Sequence, residues 1–247
     1  MTYCVGMMLD RGLVCMSDTR TNAGLDNIST FRKMAIWESA GERSITLMAA
    51  GNLATTQAVV SLLDERNKSA DEPMPSLLGA ASMFQAARMV AETLREVIAN
   101  HADVGQRADS TFNATLVLGG QIKGGPHRLF MIYPEGNFIE ADQDTPFFQI
   151  GETKYGRPIL VRAYDPAMSF AEAIKLLLVS FDSTLKANLT VGAPFDFHCY
   201  EKDSLTTGRT GRIASDDPYF QGISQGWGQA LREALDMLPA FHLDPGQ

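Results

Sequence analysis

Thr2 is the residue whose position in this sequence suggests chemistry most directly. It follows Met1 and precedes the apolar run Cys4–Leu9, which is typical of a β-strand. An initiator Met before a small residue such as Thr is usually removed, and Thr2 would then carry both a hydroxyl and a free α-amine. An α-amine with an ordinary pKa of about 7.7 to 8.0 can take a proton from a hydroxyl near neutral pH. The position therefore predicts a nucleophile that carries its own base.

The same residue has an ordinary explanation. A Thr at position 2 occurs in many chains and then means only that Met1 can be removed. If Met1 stays in place, it blocks the amine of Thr2, and the protein in that form is expected to be inactive. The sequence around Thr2 must therefore decide between the two interpretations.

The elements near the amino end are predicted to be two β-hairpins, because short apolar runs flank turn-forming residues there. The first turn contains Gly12 and the second contains Gly41. The four predicted strands are Cys4–Leu9, Leu13–Asp18, Met34–Trp37 and Ser44–Ala50. The next segments follow a helical period, in which apolar residues recur every three or four positions. Asn52 opens a first helix, and a longer helix is predicted from about Ser76 to Asn100.

The remaining elements alternate between the two periods. Ser169 and Glu172 form an S-x-x-E capping box that begins another helix, and helical spacing returns from about Ser224 to Leu238. Polar loops are predicted over Asn67–Pro75 and His101–Asp109. The later predicted strands are Phe112–Leu118, Leu129–Tyr133, Phe147–Ile150 and Phe195–Tyr200.

This order of elements predicts an α+β fold in which two antiparallel sheets are covered by helices. No repeat, low-complexity tract or linker divides the 247 residues. The sequence therefore predicts a single domain over residues 1–247, with a C-terminal helical tail from about residue 224.

Composition excludes several classes of protein. The chain has 21 Lys and Arg residues against 29 Asp and Glu residues, a formal net charge of −8, and no basic stripe, which argues against nucleic-acid binding. A hydrophobic share of 45% with 20% charged residues is typical of a folded soluble protein. No targeting segment or membrane span is recognisable, because Asp10 and Arg11 interrupt the first apolar run.

The cysteines and histidines indicate neither disulfides nor a metal centre. The three cysteines lack CxxC spacing, and two lie in apolar strand-like segments where a buried thiol is ordinary, so a reducing cytoplasm is the expected location. The histidines are scattered, which predicts no metal and no cofactor. The residues concerned are Cys4, Cys15, Cys199, His101, His127, His198 and His242. The segment Gly208–Arg212 could attract a phosphate, but a hairpin with exposed arginines is the preferred interpretation.

A series of short motifs follows Thr2 in a recognisable order. They are Thr2-x-x-x-Gly6, Gly12, Ser17-Asp18-Thr19-Arg20, Lys33, Ala49-Ala50-Gly51 and Gln57. The series resembles the proteasome β-subunit family of N-terminal nucleophile hydrolases, and most of all its bacterial branch of ancestral β-subunits, called Anbu. The resemblance runs through most of the chain and is strongest from Met1 to about residue 60.

The resemblance implies a four-layer αββα sandwich, the N-terminal nucleophile hydrolase fold, and a set of site residues. It implies Thr2 as nucleophile with its amine as proton shuttle, and Asp18 and Lys33 as the rest of a catalytic triad. Gly51 would supply the N–H that binds the oxyanion. The backbone of Thr21 and Gly51 would pair with an extended peptide, Ala49 would line the first specificity pocket, and Arg20 would hold a structural ion-pairing position.

Without the resemblance, ordinary explanations stand beside these roles. Asp18 could be a strand-end residue paired with Arg20, Lys33 could be a solvated charge beside Arg32, and Gly51 could be a turn glycine. Each of these ordinary explanations predicts contacts in the folded protein that differ from those of the catalytic role.

Two motifs of the family fit less well. Gly151-Glu152-Thr153 stands where the family often has Gly-Ser-Gly, and Asp182-Ser183-Thr184-Leu185 stands where it has Asp-x-x-Ser. Asp182 can be matched as a supporting residue, but the two serines cannot. The interval from Thr2 to Lys33 is also one residue shorter than is typical. These departures leave open how the α-amine is hydrogen-bonded.

The function implied by the resemblance is a proteasome-like threonine peptidase that acts on peptide or amide bonds through an acyl-enzyme. Two alternatives remain open. The chain could be an amidase or acyl transferase for a small amide, or a ring-forming structural relative without catalysis. The implied partners are further copies of the chain in a ring-like or staggered homo-oligomer and a peptide or amide substrate, whereas an unfoldase partner stays an open question.

Overall fold

The fold is built on two five-stranded antiparallel sheets. The computed structural model describes residues 1–22, 28–68, 76–103 and 112–241. In spatial order the first sheet contains β10 (Phe147–Gly151), β1 (Tyr3–Leu9), β2 (Gly12–Asp18), β11 (Phe195–Glu201) and β12 (Arg209–Ile213). In spatial order the second sheet contains β5 (Met34–Ser39), β6 (Arg43–Gly51), β7 (Ala114–Ile122), β8 (Arg128–Ile132) and β9 (Phe138–Glu140). The short strands β3 (Arg20–Asn22) and β4 (Ile28–Thr30) form a separate pair.

Helices cover the outer face of each sheet. Apolar residues of α1 (Leu53–Lys68) and α2 (Met83–Asp103) share one core cluster with β6 and β7. Apolar residues of α3 (Arg157–Ala163), α4 (Phe170–Ala187) and α5 (Pro218–Asp236) share a second cluster with β1 and β2. A third cluster lies between the two sheets. The predicted four-layer αββα sandwich of the α+β class is therefore confirmed.

The strands β1, β2, β6 and β7 are buried on both faces, and this explains their nearly continuous apolar sequences. In β1, Tyr3 and Val5 pack under the helices, whereas Cys4 packs against the second sheet. In β6 the same alternation directs Ala49 to the helices and Ala50 to the first sheet. Successive side chains of a strand point to opposite faces, so both sets of residues must be apolar here. All three cysteines are buried free thiols, whereas the sequence predicts burial for two of them.

The prediction of a helix from Ser76 to Asn100 is wrong about where the helix begins. Ser76 instead caps a short 3₁₀ turn, Leu77–Gly79, through a bond from the Gly79 amide to its hydroxyl. Ala80 is extended, with ψ of 135°, so the helix can begin only after it, at Met83. A serine hydroxyl that satisfies a nearby amide favours this kind of local turn over a helix.

The loops around α1 and α2 also differ from the prediction. Residues 101–103, predicted as a loop, continue α2, and the rest of that loop, residues 104–109, lies outside the described residues. The strand predicted from Phe112 begins instead at Ala114, because Phe112 lies in a turn. Asn67 and Lys68 end α1 instead of opening a loop, and residues 69–75 lie outside the described part.

The later elements follow the sequence more closely. The capping box of α4 is confirmed, because the Ser169 hydroxyl accepts from the Glu172 amide while the Glu172 carboxylate accepts from the Ser169 amide. The predicted tail helix exists but begins earlier, at Pro218, where Asp217 caps it. Arg209 and Arg212 lie exposed on β12, as the hairpin interpretation of that segment predicts. In the described part of the chain, no helix is both long and apolar enough to cross a membrane.

Candidate active site

Thr2 is held in place by the backbone on both sides of it. Its carbonyl oxygen accepts a 2.7 Å hydrogen bond from the Glu152 amide, just beyond β10. The next amide along the chain, that of Tyr3, donates to Oδ1 of Asp18 over 3.0 Å. Thr2 is therefore an ordered, half-buried residue at the head of β1 rather than part of a frayed terminus.

Asp18 and Lys33 form a buried ion pair beside Thr2. The Nζ atom of Lys33 donates to Oδ1 of Asp18 over 2.7 Å and to the carbonyl oxygen of Arg20 over 2.7 Å. The Gly192 amide approaches the second carboxylate oxygen at 3.3 Å. Asp18 thus pairs with Lys33 and not with Arg20, and Lys33 is not a solvated charge. Burial raises the pKa of Asp18, while the charge of Lys33 and the bonds from Lys33, Tyr3 and Gly192 oppose that rise.

The α-amine of the chain lies within the electrostatic reach of this cluster. Burial and the positive charge of Lys33 lower the pKa of the Met1 amine, and the carboxylates of Asp18 and Glu152 act in the opposite direction. A lowered pKa favours the neutral amine, which is the form that can accept a proton.

Gly51 ends β6 in a conformation that only glycine adopts easily. Its φ is +126°, and a Cβ atom there would lie 2.3 Å from the carbonyl oxygen of Asn113. The Asn52 amide bonds that same oxygen, so Gly51 occupies the non-hydrogen-bonded position of the β6–β7 pair. The Gly51 N–H consequently points away from β7, on the side where β5 begins only at Met34. Gly51 is exposed there, so its N–H can be offered to a ligand.

A pocket opens beside Lys33 and Gly51, at the amino end of α1. The Oδ1 atom of Asn52 accepts from the Thr55 amide and caps this helix. The cavity has a volume of about 330 Å³. It is lined by Arg32, Lys33, Met34, Ala35, Ala49, Leu53, Thr56, Gln57, Val60 and Ser61. Ala49, predicted as a pocket residue, is among them, and its short side chain leaves the pocket roomy.

The other predicted residues lie around the ion pair with different contacts. Arg20 donates to the carbonyl oxygen of Leu189, and its guanidinium covers Gly192, where a Cβ atom would lie 2.3 Å from Cζ. Thr21 pairs with Ser29 in the short β3–β4 sheet. Asp182 is buried in α4, but its Oδ1 has no hydrogen-bond partner among the described residues. The contacts therefore do not join Asp182 to Thr2.

Sequence reasoning missed the part played by three residues. Glu152 bonds the carbonyl oxygen of Thr2, and Asn188 bonds Glu152 in turn. Gly192 bonds the carboxylate of Asp18. A signal for Glu152 was present, since it stands where the family has the serine of Gly-Ser-Gly. Asn188 and Gly192 come near the site through the chain that follows α4, which no local motif marks. Across the described ranges, no group of three or more His, Cys, Asp or Glu side chains could hold a metal ion.

The fold and this cluster define the class of protein. The two antiparallel sheets lie between helices, and Thr2, at the head of β1, lies next to a buried Asp–Lys pair. This is the arrangement of an N-terminal nucleophile hydrolase fold. The family model for proteasome subunits matches residues 2–196. The chain therefore belongs to the proteasome subunit family.

Solved structures give a closer likeness within that family. Anbu, the ancestral beta-subunit, from Yersinia bercovieri is 49% identical with a TM-score of 0.90, covering 98% of this chain and 100% of its own. Anbu from Hyphomicrobium sp. strain MC1 is 49% identical with a TM-score of 0.89 over the same shares. The helical assembly of the Anbu complex from Pseudomonas aeruginosa is 45% identical with a TM-score of 0.90, covering 97% and 98%. No curated protein matches the chain.

Proposed function

We propose that this protein is a threonine hydrolase of peptide or related amide bonds, with Thr2 as nucleophile after removal of Met1. The observation that carries the proposal is the buried Lys33–Asp18 pair, whose Oδ1 also bonds the amide of the residue next to Thr2. A buried ion pair costs desolvation energy, so its position beside a hydroxyl and an α-amine favours a chemical role.

The proposed reaction uses the α-amine and the hydroxyl of the same residue. The neutral amine takes the proton of the Thr2 hydroxyl, and the oxygen attacks the substrate carbonyl carbon. The Gly51 N–H donates to the oxyanion, and the positive charge of Lys33 stabilises negative charge on the Thr2 oxygen. The amine returns the proton to the leaving nitrogen as the amide bond breaks, and water then hydrolyses the ester. The role of Asp18 is to keep Lys33 charged and oriented.

The pocket beside Gly51 suits the side chain of the acyl group. Its wall contains Ala49 and Val60, and its rim contains polar side chains such as Gln57. An extended peptide paired with the backbone of Thr21 and Gly51 would place one side chain in this cavity. The same residues would also serve an amidase or an acyl transferase, so the substrate class rests on the family.

We also propose that the protein works as a homo-oligomer, ring-like or staggered, in a reducing compartment such as the cytoplasm. A related Anbu complex is a helical assembly. On α5 the apolar side chains Leu231 and Leu235 are 50% and 68% exposed, and Leu238 just beyond the helix is 63% exposed. Exposed apolar stripes mark interaction surfaces. The buried free thiols suit a reducing environment.

The test is intact mass spectrometry with a peptide epoxyketone, an electrophile that reacts with both an α-amine and its neighbouring hydroxyl. We expect the purified protein to lack Met1 and to gain a single adduct, and Thr2→Ala to gain none. Lys33→Ala should lose Met1 normally but react far more slowly. A processed Thr2 that never reacts in the assembled oligomer would exclude the hydrolase and favour a catalytically silent structural relative.

A further inference from the structure

The end of β10 brings Glu152 against Thr2. Gly151, the last residue of the strand, turns the chain with φ of +85°, and a Cβ atom there would lie 1.9 Å from the carbonyl oxygen of Thr2. This close approach lets the next amide, that of Glu152, donate to the same oxygen over 2.7 Å. The backbone of Glu152 is therefore fixed next to the residue that carries the proposed α-amine.

The carboxylate of Glu152 is buried and held in place. The residue is only 7% exposed, and the Nδ2 atom of Asn188 donates to Oε2 over 2.9 Å. The Oδ1 atom of Asn188 accepts from both the amide and the hydroxyl of Thr190, at 3.0 Å and 2.6 Å. Because its oxygen is engaged there, the side chain of Asn188 presents its NH₂ group to Glu152.

One neutral donor does not compensate a buried carboxylate, which is expensive to desolvate without a positive partner. Among the described residues, Glu152 makes no side-chain ion pair, and the nearby ammonium of Lys33 already binds Asp18 and the Arg20 carbonyl oxygen. Glu152 does act electrostatically on one positive group, the α-amine of Met1. Removal of Met1 takes that amine away and makes the backbone nitrogen of Thr2, the residue that Glu152 already contacts, the new α-amine.

We propose that Glu152 is a positioning residue whose carboxylate, braced by Asn188, binds the α-ammonium of Thr2 once Met1 has been removed. The inference rests on the proposed function for its catalytic meaning, but the interaction itself does not require catalysis. Glu152 stands where the family has a serine, so a negative charge replaces a neutral hydroxyl beside the amine. Glu152 neither gains nor loses a proton in the reaction, because the proton passes between the Thr2 oxygen, the amine and the leaving nitrogen.

The proposed contact has a consequence for pH dependence. The charged groups that act on the amine are Lys33, which precedes β5, Asp18 at the end of β2, and Glu152 after β10. Lys33 favours the neutral amine and the two carboxylates favour the ammonium. Asp18 raises the pKa of the amine more than Glu152 does, but Asp18 is already paired with Lys33, so Glu152 is the carboxylate left to bind the ammonium. Removing its charge should let the amine act as a base at lower pH.

The test measures the pKa of the Thr2 amine directly. The full chain is released from a cleavable amino-terminal fusion so that it begins at Thr2, and its α-amine is acetylated at a series of pH values. Mass spectrometry of the amino-terminal peptide gives the labelling rate. We expect Glu152→Gln and Glu152→Ala to lower the midpoint by about one pH unit. Glu152→Asp, which keeps the charge, should stay closer to the parent protein.

The control is Glu135→Gln, which removes the same charge from an exposed turn between β8 and β9. It should leave the midpoint unchanged. Circular dichroism of every variant confirms folding before labelling. An unchanged midpoint in folded Glu152→Gln and Glu152→Ala overturns the proposal. Epoxyketone adduct formation, measured in parallel, reports on the hydrolase separately, so an unreactive hydroxyl with a shifted midpoint refutes the proposed function and leaves this contact established.

Discussion

The Nζ atom of Lys33 lies 2.7 Å from Oδ1 of Asp18, with side-chain exposures of 5% and 0%. The same Oδ1 accepts the amide of Tyr3, so the ion pair is tied directly to the backbone that follows Thr2. Burying two charges costs about as much free energy as their attraction returns. The pair is therefore better explained by what it does at Thr2 than by a contribution to stability.

Removing one partner of this ion pair should destabilise the protein more than the removal of both charges would suggest. In Lys33→Met the Asp18 carboxylate stays buried with only two backbone amides, and we expect the free energy of unfolding to fall by about 3 kcal/mol. Asp18→Asn combined with Lys33→Met removes both charges, so its cost should be smaller than the sum of the two single changes. Denaturant unfolding of the four proteins measures the difference. A double variant whose cost equals that sum would show that the two charges are not coupled.

Gly151 should be essential because of its position and not only because of its conformation. In Gly151→Ala the new Cβ would meet the carbonyl oxygen of Thr2 at 1.9 Å, so the head of β1 must move. Gly124 is the matched control: its φ of +86° is almost the same as the +85° of Gly151, but nothing lies within 4 Å of its Cβ position. We expect Gly124→Ala to lose about 1 kcal/mol of stability and to keep its reactivity.

Gly151→Ala should lose more stability and form the Thr2 adduct much more slowly. Denaturant unfolding and the rate of epoxyketone modification measure the two effects. Equal behaviour of the two variants would mean that backbone strain alone matters at Gly151.

Ala49 should set the size of the acyl group that the pocket accepts. Its side chain lines a cavity of about 330 Å³. Ala49→Leu fills part of this space and should slow modification by an epoxyketone with a bulky side chain next to the reacting carbonyl, by about tenfold or more. An epoxyketone with a small side chain there should react about as before. A difference of a few methylenes in a pocket is worth about 1–3 kcal/mol, which agrees with this range.

The reverse change should have the reverse effect. Val60 lines the same cavity from α1, so Val60→Ala enlarges it and should favour the bulky reagent. The ratio of the two modification rates is the quantity to compare across the variants. If both variants change the two rates in proportion, the acyl side chain lies elsewhere.

Several elements could be predicted because their signals are local. The capping box at Ser169 needs only two side chains three residues apart, and the hairpin at Gly12 needs only a turn between apolar runs. The order of these elements was enough to predict the layers. The Asp18–Lys33 pair was expected from the resemblance, whereas the residues alone favoured other partners, since a pair separated by fifteen positions leaves no periodic trace.

The elements that escaped prediction are short or depend on the rest of the fold. The seven residues of α3 are too few for helical periodicity, and the three residues of β9 are too few for strand alternation. The end of the 3₁₀ turn at Gly79 is decided by one serine hydroxyl. The contacts of Glu152 with Thr2 and Asn188 arise from the packing of β10 and α4 around β1, so sequence could indicate only that a serine was missing.

His198 should make the protein less stable in mild acid. It lies between the sheets, where its Nδ1 and the Thr46 hydroxyl are 2.7 Å apart and its Nε2 contacts the carbonyl oxygen of Thr207. Burial lowers the pKa of His198 below its ordinary 6.5. The unfolded chain therefore binds a proton at a pH where the folded protein does not, and stability is lost as the pH falls.

The expected result is a free energy of unfolding that falls between about pH 7 and about pH 5, more steeply in the parent protein than in His198→Gln. The variant keeps a polar side chain that can donate to Thr207 but does not titrate. Denaturant unfolding at each pH measures both slopes. If the two slopes are equal, His198 does not govern the acid sensitivity.

Helix α5 should carry part of the proposed self-association. Leu231 and Leu235 are four residues apart on α5, so they lie on one face of the helix, and both are at least half exposed. Leu238, which is also exposed, follows the end of the helix at Asp236. We expect Leu231→Glu combined with Leu235→Glu to reduce the mass of the assembled particle in light scattering, because buried charges oppose association. The protomer should stay folded, since neither side chain belongs to a core cluster.

The control is Gln229→Glu combined with Glu233→Gln, which exchanges charge on exposed positions of the same helix and should leave the mass unchanged. An unchanged mass in the leucine variant would assign the interface to another surface, such as the exposed side of α2.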